Sequence, residues 1–586
     1  MAHKSCHRSG LPGSMRPLLQ LFVLVTFVDG FGIPLKMSAQ PNAQQQPSTP
    51  HTSGSNKREI MFYNSLSRTK DVFEPIIPGK VSMYTCGPTV YDYAHVGNFR
   101  AFLTYDTIKR VLLYFGYNVD HICNLTDIDD KIIKRCNEQN ISLMELTHKF
   151  ANLFMDDLKA LNIVPARAYP RATDHIPEMV QLIQDLKRNG LAYQSDEGSW
   201  YFNVAEKEGY GQQLVTLDLA GMKKRSGSET AGAIRGTDAD EYDAEKVGVR
   251  DFALWKSHKP DFDREDATWD TEIGRGRPGW HLECSAMAKK YLGDTIDLHA
   301  GGVDLTFPHH ENEIAQSEGS SGCRFCNCWM HNGFVNIGAK DEKMSKSKGN
   351  FLTLRTACPK PDDVRAYRYL VVSSYYRNPL SFTDAAMGAA RGALKRIDAL
   401  RTKLDGVLED GGFISEDGVV DGVIAPVVTE QLEKFDRAIA DDLAMPRAAA
   451  CLFAVLKAAE GEFKRFAKET KNAEKDGDSA VTVEPLDLAG LATVNHALLK
   501  MDEVFGLFYE VPSPMKDDSN GSTNDAASLE SDAAIPAEVM KLVSERIIAK
   551  DSKDWDLADS LRSQITQLGF AVKDLKDSDP IVSRIE

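Results

Sequence analysis

Apolar and polar positions divide this chain into stretches of different period. Val81–Cys86 is a short apolar run that stops at Gly87-Pro88, and Phe99–Phe115 then carries apolar residues at helical spacing, which predicts a strand, a loop and a helix. A turn from Gly116 leads into a second strand-like run that ends near Asn124, and Asp129 to about Gln139 reads as the next helix. Ile296–Leu298 and Gly333–Ile337 are strand-like again. Strands alternating with helices predict an α/β fold with a doubly wound parallel sheet. From about Asp384 to Phe508 the period is almost wholly helical, with runs such as Met387–Leu404 and Met445–Lys468, as in a helix bundle. The polar stretch Asp517–Ala533 reads as a linker. Beyond it, helical segments Pro536–Lys550 and Asp554–Leu568 and a short strand Phe570–Val572 predict a small α+β module. The sequence shows no internal repeat.

Two regions break the pattern. Between about Gly221 and Gly248 large apolar residues thin out, which marks an exposed insertion. At the start, Lys4, Arg8 and Arg16 precede an apolar run from Leu18 to Val28, too short to span a bilayer but long enough for a signal-peptide core. Phe31 to Arg58 is rich in Ser, Gln, Pro and Thr and contains no Asp or Glu. Residues 1–58 therefore read as an organellar address, plastid or mitochondrial, and are set apart from the fold. A plain tail with a chance apolar stretch is the other reading, and a start at Met37 or Met61 would give a cytoplasmic form.

Composition adds limits. With 586 residues, 42% hydrophobic and 26% charged, the chain is long enough for several packed domains. A formal charge of −16 excludes a uniformly basic surface that coats nucleic acid, so any RNA contact uses local patches. The ten cysteines are scattered apart from Cys323, Cys326 and Cys328, which favours reduced thiols, some on metal, over a disulfide framework.

Cys86, Cys284, His309 and Glu313 are a candidate zinc set, since two thiolates, an imidazole and a carboxylate suit a tetrahedral ion. His309 and Glu313 are four residues apart, so on a helix opened by Pro308 they project from one face, with His310 and Glu311 on other faces. Spacing alone leaves a bland alternative open, two buried cysteines and an ordinary helix. The trio Cys323-Arg-Phe-Cys326-Asn-Cys328 has the tighter ligand spacing but lacks a second pair nearby.

His95-Val-Gly-Asn98 follows the first strand where a helix begins, so backbone amides and an imidazole can face a phosphate. Lys343-Met-Ser-Lys-Ser347, with Lys348-Gly-Asn after it, supplies ammonium groups that can neutralise charge on a triphosphate. In this order the two resemble the HIGH and KMSKS signatures of class I aminoacyl-tRNA synthetases; the first departs at Val96 and Asn98, where Asn keeps a polar group. Four longer strings narrow the resemblance to cysteinyl-tRNA synthetases. They are Tyr84-Thr-Cys-Gly-Pro-Thr-Val-Tyr-Asp-Tyr-Ala-His-Val-Gly-Asn98, Asn124-Leu-Thr-Asp-Ile-Asp-Asp-Lys-Ile132, Gly276-Arg-Pro-Gly-Trp-His-Leu-Glu-Cys-Ser-Ala-Met287 and His299-Ala-Gly-Gly-Val-Asp-Leu-Thr-Phe-Pro-His-His-Glu-Asn-Glu313.

This resemblance implies an enzyme that activates L-cysteine with ATP and passes it to tRNA(Cys). It implies one Zn2+ per chain on Cys86, Cys284, His309 and Glu313, and Mg2+ accompanying ATP. Thr126 and Trp280 would border the substrate cysteine; His95, Asn98, Gly301, Gly302, Asp304, Lys343 and Lys346 would bind ATP, with His95, Lys343 and Lys346 catalytic. The segments then take expected roles: 1–58 targeting; 59–190 and 276–350 the two halves of a Rossmann-like catalytic domain; 191–275 a connective insertion; 351–385 a tRNA-stem contact. The bundle is 386–512, the linker 513–533 and an anticodon-recognition module 534–586. A monomer without membrane attachment is expected. The rival readings are a cysteine ligase acting on an amino sugar and a non-catalytic zinc and RNA-binding protein.

Overall fold

The computed structural model describes residues 58–216, 246–248, 250–337, 342–343, 352–411, 421–476 and 483–512. Near the end it describes 542, 546, 549–550, 555–568, 570–575 and 578–584. The expected address in 1–57, the polar stretch around Gly221, the linker, and Lys346 with the rest of its loop lie outside the described residues.

A hairpin, β1 (Met61–Asn64) with β2 (Thr69–Val72), precedes β3 (Lys80–Thr85). The helix Val96–Tyr114 crosses back to β4 (Asn118–Cys123), parallel to β3. Three helices, Asp130–Gln139, Leu143–Ala160 and Ile176–Arg188, follow. Next come β5 (Ala192–Gln194), β6 (Trp200–Phe202), β7 (Phe252–Ser257) and β8 (Gly276–Pro278), one antiparallel sheet. Sequence periodicity misses this sheet, because Trp200, Tyr201 and Phe202 are all buried and a strand covered on both faces shows no alternation. The chain returns through helix Trp280–Leu292 to β9 (Ile296–Gly302) and through helix Glu311–Ser321 to β10 (Cys326–Asn332).

The central sheet has the order β10-β9-β3-β4 and is parallel throughout. Its strands are buried toward their carboxyl ends, with helices crossing over between them. The chain runs outward from β3 to β4 and later outward from β9 to β10. The direction of winding therefore reverses between β3 and β9, where the carboxyl ends splay into a crevice.

Beyond the sheet, β11 (Val335–Ile337) pairs antiparallel with β12 (Glu342–Lys343) and parallel with β13 (Leu380–Phe382). Helix Pro361–Val372 precedes β13. Helices Asp384–Asp410, Ala425–Ala440, Met445–Asp476 and Leu488–Phe505 follow. In the first of them Met387, Ala390, Leu394, Ile397, Leu404 and Leu408 are buried, a stripe at steps of three, four and seven that packs on its neighbours. At the end come helix Trp555–Gln567 and the antiparallel hairpin β14 (Phe570–Leu575) with β15 (Ser578–Arg584), and Ala549, Ala558 and Leu561 form a small separate buried cluster. Among the described residues no helix is long and apolar enough to cross a membrane.

The helix Val96–Tyr114 is anchored from within. Asp106 and Arg368 are fully buried and 2.6 Å apart. Asp106 also accepts from Arg110 at 2.8 Å and from the Val164 amide at 2.8 Å. Burial alone would push the Asp106 carboxyl up, but the two guanidiniums reverse this and hold it below its ordinary value. Its contribution to stability is therefore present above the ordinary carboxylate range and is lost as pH falls through its depressed folded value. Asp106→Asn leaves Arg368 without its counter-charge and is expected to cost about 3–5 kcal/mol, read as a lower midpoint of denaturant unfolding at neutral pH. One turn earlier, buried Arg100 donates to the carbonyls of Tyr375, Tyr376 and Asn378, tying this helix to the turn that leads into β13.

Candidate active site

Cys86 is the first residue beyond β3, at the reversal point of the sheet. Gly87 lets the backbone pass close to the end of β4, since a Cβ there would lie 1.6 Å from the Asn124 carbonyl oxygen. The Gly87 amide donates to Asn124 Oδ1 at 2.9 Å. Cys284, on the second turn of helix Trp280–Leu292, brings its Sγ to 3.8 Å from that of Cys86. His309 Nε2 lies 2.9 Å from Glu313 Oε1, and Glu313 Oε1 lies 3.5 Å from Cys86 Sγ. All four residues are buried, with ligand atoms within 4.8 Å of one another.

Two sequence expectations about this segment need correction. The regular α-helix begins at Glu311 and not at Pro308, and the chain kinks at Phe307, whose backbone is extended. The spacing of four still brings His309 and Glu313 together across that junction. His310 does not point away from the centre either, because the chain ahead of Glu311 is kinked at Phe307 and is not one regular helix. Its Nε2 lies 3.4 Å from Cys86 Sγ, and Cys86, His299, His310 and Glu313 form a second quartet within the same 4.8 Å. Glu311 does sit apart, accepting from the amides of Gln213 and Leu214.

The electrostatics ask for a cation. The hydrogen bond from Cys86 draws the Cys284 thiol down to about 6, while burial pushes the Cys86 thiol well up. Burial would raise the Glu313 carboxyl, but His299 and His309 outweigh it and hold it well below its ordinary value. Burial would likewise lower His309, but the Glu313 carboxylate lifts it to about 10. Two anions and one cation in a buried pocket leave a net negative charge that a divalent ion offsets. The donor set fits tetrahedral zinc. Neighbouring imidazoles brace it: His299 Nε2 is 2.7 Å from Glu313 Oε2, and His281 Nδ1 is 2.9 Å from His309 Nδ1. His310 Nδ1 is 2.8 Å from His331 Nε2, whose ring reaches Ser65 Oγ at 2.7 Å. Sequence reasoning assigned no role to His281, His299 or His331; the only signal was the density of histidine within the quoted strings.

Trp280 is half-buried and stacks on His309 at 4.4 Å with 27° between the rings. Thr126 is buried, and its hydroxyl donates to Glu283 Oε2 at 2.8 Å. The Val90 amide donates to the Thr126 carbonyl at 3.0 Å, which lays the loop after Cys86 along the end of β4 before it reaches His95.

His95 caps the helix Val96–Tyr114. Its Nδ1 accepts from the Asn98 amide at 3.0 Å, and Asn98 Oδ1 accepts from the His95 amide at 3.0 Å, a reciprocal capping box. With Nδ1 an acceptor, a neutral imidazole carries its proton on Nε2. Gly301 is the next-to-last residue of β9, and the room it leaves is taken by His310, whose Cε1 would lie 2.3 Å from a Cβ. Asp304 is exposed and folds back over Gly302. The backbone of Lys343 lies in β12, paired with Asn336, while its side chain and all of Lys346 lie outside the described residues. Ahead of the last helix, Arg546 is buried at 3% exposure.

The family model for the class I (C) tRNA synthetase catalytic domain matches residues 72–392. A cysteine–tRNA ligase of Chlamydia abortus is 40% identical over 524 residues, 89% of this chain and 98% of the relative. One from Brachyspira hyodysenteriae is 38% identical over 88% of this chain and 98% of the relative. Among solved structures, Mycobacterium tuberculosis methionyl-tRNA synthetase bound by methionyl-adenylate aligns with a TM-score of 0.51 at 16% identity, covering 73% of this chain and 92% of that one.

Proposed function

Because this chain belongs to the cysteine–tRNA ligase family of class I aminoacyl-tRNA synthetases, we propose that it activates L-cysteine with ATP to cysteinyl-adenylate and transfers the cysteine to the 3′ end of tRNA(Cys). The observation that carries this reading is the buried quartet Cys86, Cys284, His309 and Glu313 at the reversal point of the sheet. Cys86, Cys284, His309 and Glu313 would hold a zinc ion, which would supply a soft centre that prefers a thiolate to the hard hydroxyl of serine. Each tenfold of that preference needs about 1.4 kcal/mol. Selection at this step would make a separate editing site unnecessary.

The chain's own residues do the rest by position and charge. His95, its Nδ1 committed to the helix cap, offers a donor to phosphate at the positive end of the helix Val96–Tyr114. Lys343 and Lys346 stabilise charge on the pentavalent α-phosphate as the cysteine carboxylate attacks and pyrophosphate leaves, with ATP entering as its Mg2+ complex. Trp280 and Thr126 border the amino acid. No protein nucleophile is needed. The helices from Asp384 to Phe505 and the module after them favour tRNA over a small amino sugar as acceptor.

The test is cysteine-dependent exchange of pyrophosphate into ATP, repeated with serine and after chelation. Exchange with cysteine, little with serine and loss on metal removal are the expected results. A protein that binds ATP yet gives no exchange with cysteine is not the enzyme described, and exchange that survives complete zinc loss would remove the metal from selection.

A further inference from the structure

Glu283 sits one residue before Cys284 yet faces Thr126. It is fully buried; its Oε2 accepts the Thr126 hydroxyl at 2.8 Å, and among the described residues its Oε1 has no hydrogen-bond partner. Nearby Asp127 is engaged by Thr173 and Arg171, and Asp129 caps the Lys131 amide. Among the described residues, the Glu283 carboxyl has Thr126 as its hydrogen-bond partner. A bare carboxyl oxygen in a fully buried position costs stability, and a methionine of similar size would fill the place without that cost.

What the carboxyl does is fix a direction. A threonine hydroxyl has one proton and two lone pairs. Its proton goes to Glu283, and Asn124 Nδ2 donates to one lone pair at 3.2 Å. The orientation of the Asn124 amide is set in turn, because its Oδ1 takes the Gly87 amide proton, which turns Nδ2 toward Thr126. One lone pair is left on Thr126, and only a donor can use it. Of the three polar groups of cysteine, the ammonium is the donor, whereas the carboxylate and the thiolate are acceptors.

Resting on the reading that Thr126 borders the substrate cysteine, we propose that Glu283 is a positioning residue that holds the Thr126 hydroxyl as an acceptor for the α-ammonium. The metal quartet then reads the thiol, and the Asn124–Thr126–Glu283 chain reads the other end of the same molecule. The amino acid is fixed at two points before its carboxylate meets ATP.

Glu283→Met in the full chain is expected to raise the KM for cysteine about tenfold in pyrophosphate exchange, with the KM for ATP and the zinc content unchanged. Inhibition by 3-mercaptopropionate, which has the thiol and carboxylate but no amine, stays as it was. Glu283→Gln keeps an acceptor oxygen and restores most of the cysteine affinity. Thr126→Val gives the same loss, and combining it with Glu283→Met adds nothing further. The proposal is overturned if Glu283→Met weakens cysteine and 3-mercaptopropionate alike, if Gln fails to restore cysteine binding in a zinc-loaded protein, or if the two losses add. Absence of exchange in the unaltered protein would strike at cysteine activation itself, a separate failure.

Discussion

Replacing Cys86 by serine is expected to empty the metal centre and to lower cysteine-dependent exchange at least about 100-fold, about 2.7 kcal/mol of transition-state stabilisation. Cys86 is the more telling of the two thiols because it belongs to both donor quartets, the one completed by Cys284 and His309 and the one completed by His299 and His310. No neighbouring imidazole can restore a set that has lost it. Glu313 is the other shared member, and Cys284 belongs to one quartet alone. Zinc per chain should therefore fall further in Cys86→Ser than in Cys284→Ser, although both change one sulfur to one oxygen. Serine is nearly isosteric, so the fold should survive, and far-ultraviolet dichroism with the melting curve checks this. Stoichiometric zinc with full exchange in Cys86→Ser would show that the ion, if any, sits elsewhere.

The second large effect is on turnover. Lys346→Ala is expected to lower kcat of adenylation about 100- to 1000-fold with the KM for cysteine nearly unchanged, because its charge matters only once the α-phosphate gathers negative charge. The base of its loop is held firmly: β12 pairs with β11, β11 pairs with β13, and the turn before β13 is clamped by Arg100 from the helix that His95 caps. The strand that leads toward Lys346 and the helix capped by His95, far apart in sequence, are thus tied together through β11, β13 and Arg100. Rapid-quench measurement of adenylate formation reads the step directly. An equal rise in the KM for cysteine would place Lys346 in amino-acid binding instead.

Much of this was legible before any coordinates. Strand, loop and helix at Val81–Phe115 follow from periodicity, and the parallel sheet follows from strands separated by helices. The ligand set was another matter. Cys86 and Cys284 lie far apart in the chain, and only β3 and the helix Trp280–Leu292 converging on one crevice brings them to 3.8 Å; spacing carries no record of that, and resemblance supplied it. His310 was misjudged because an ideal helical wheel does not describe a segment kinked at Phe307. The antiparallel sheet β5–β8 escaped because its central residues are covered on both faces. Glu283 was invisible for a different reason. A glutamate in a helical string reads as a solvated charge, and only its burial against Thr126 shows otherwise.

Asp442 joins the first strand of the folded chain to its helical half. It lies between helices Ala425–Ala440 and Met445–Asp476 with a left-handed backbone at φ 53°. Its amide donates to the carbonyl of Met61 at 2.8 Å, and its carboxylate accepts from the Tyr63 amide, the Tyr376 hydroxyl and Arg377. The first strand of the sheet half is thereby stitched to a corner of the helical half. An expression fragment that stops before Asp384 would keep every ligand and both signature motifs, yet it would leave Arg377 and β1 without this acceptor and Arg368 without the Phe505 carbonyl. For anyone dissecting the molecule into parts, the sheet and the bundle are a single indivisible piece, and the sensible place to cut is the polar stretch that precedes the small terminal module.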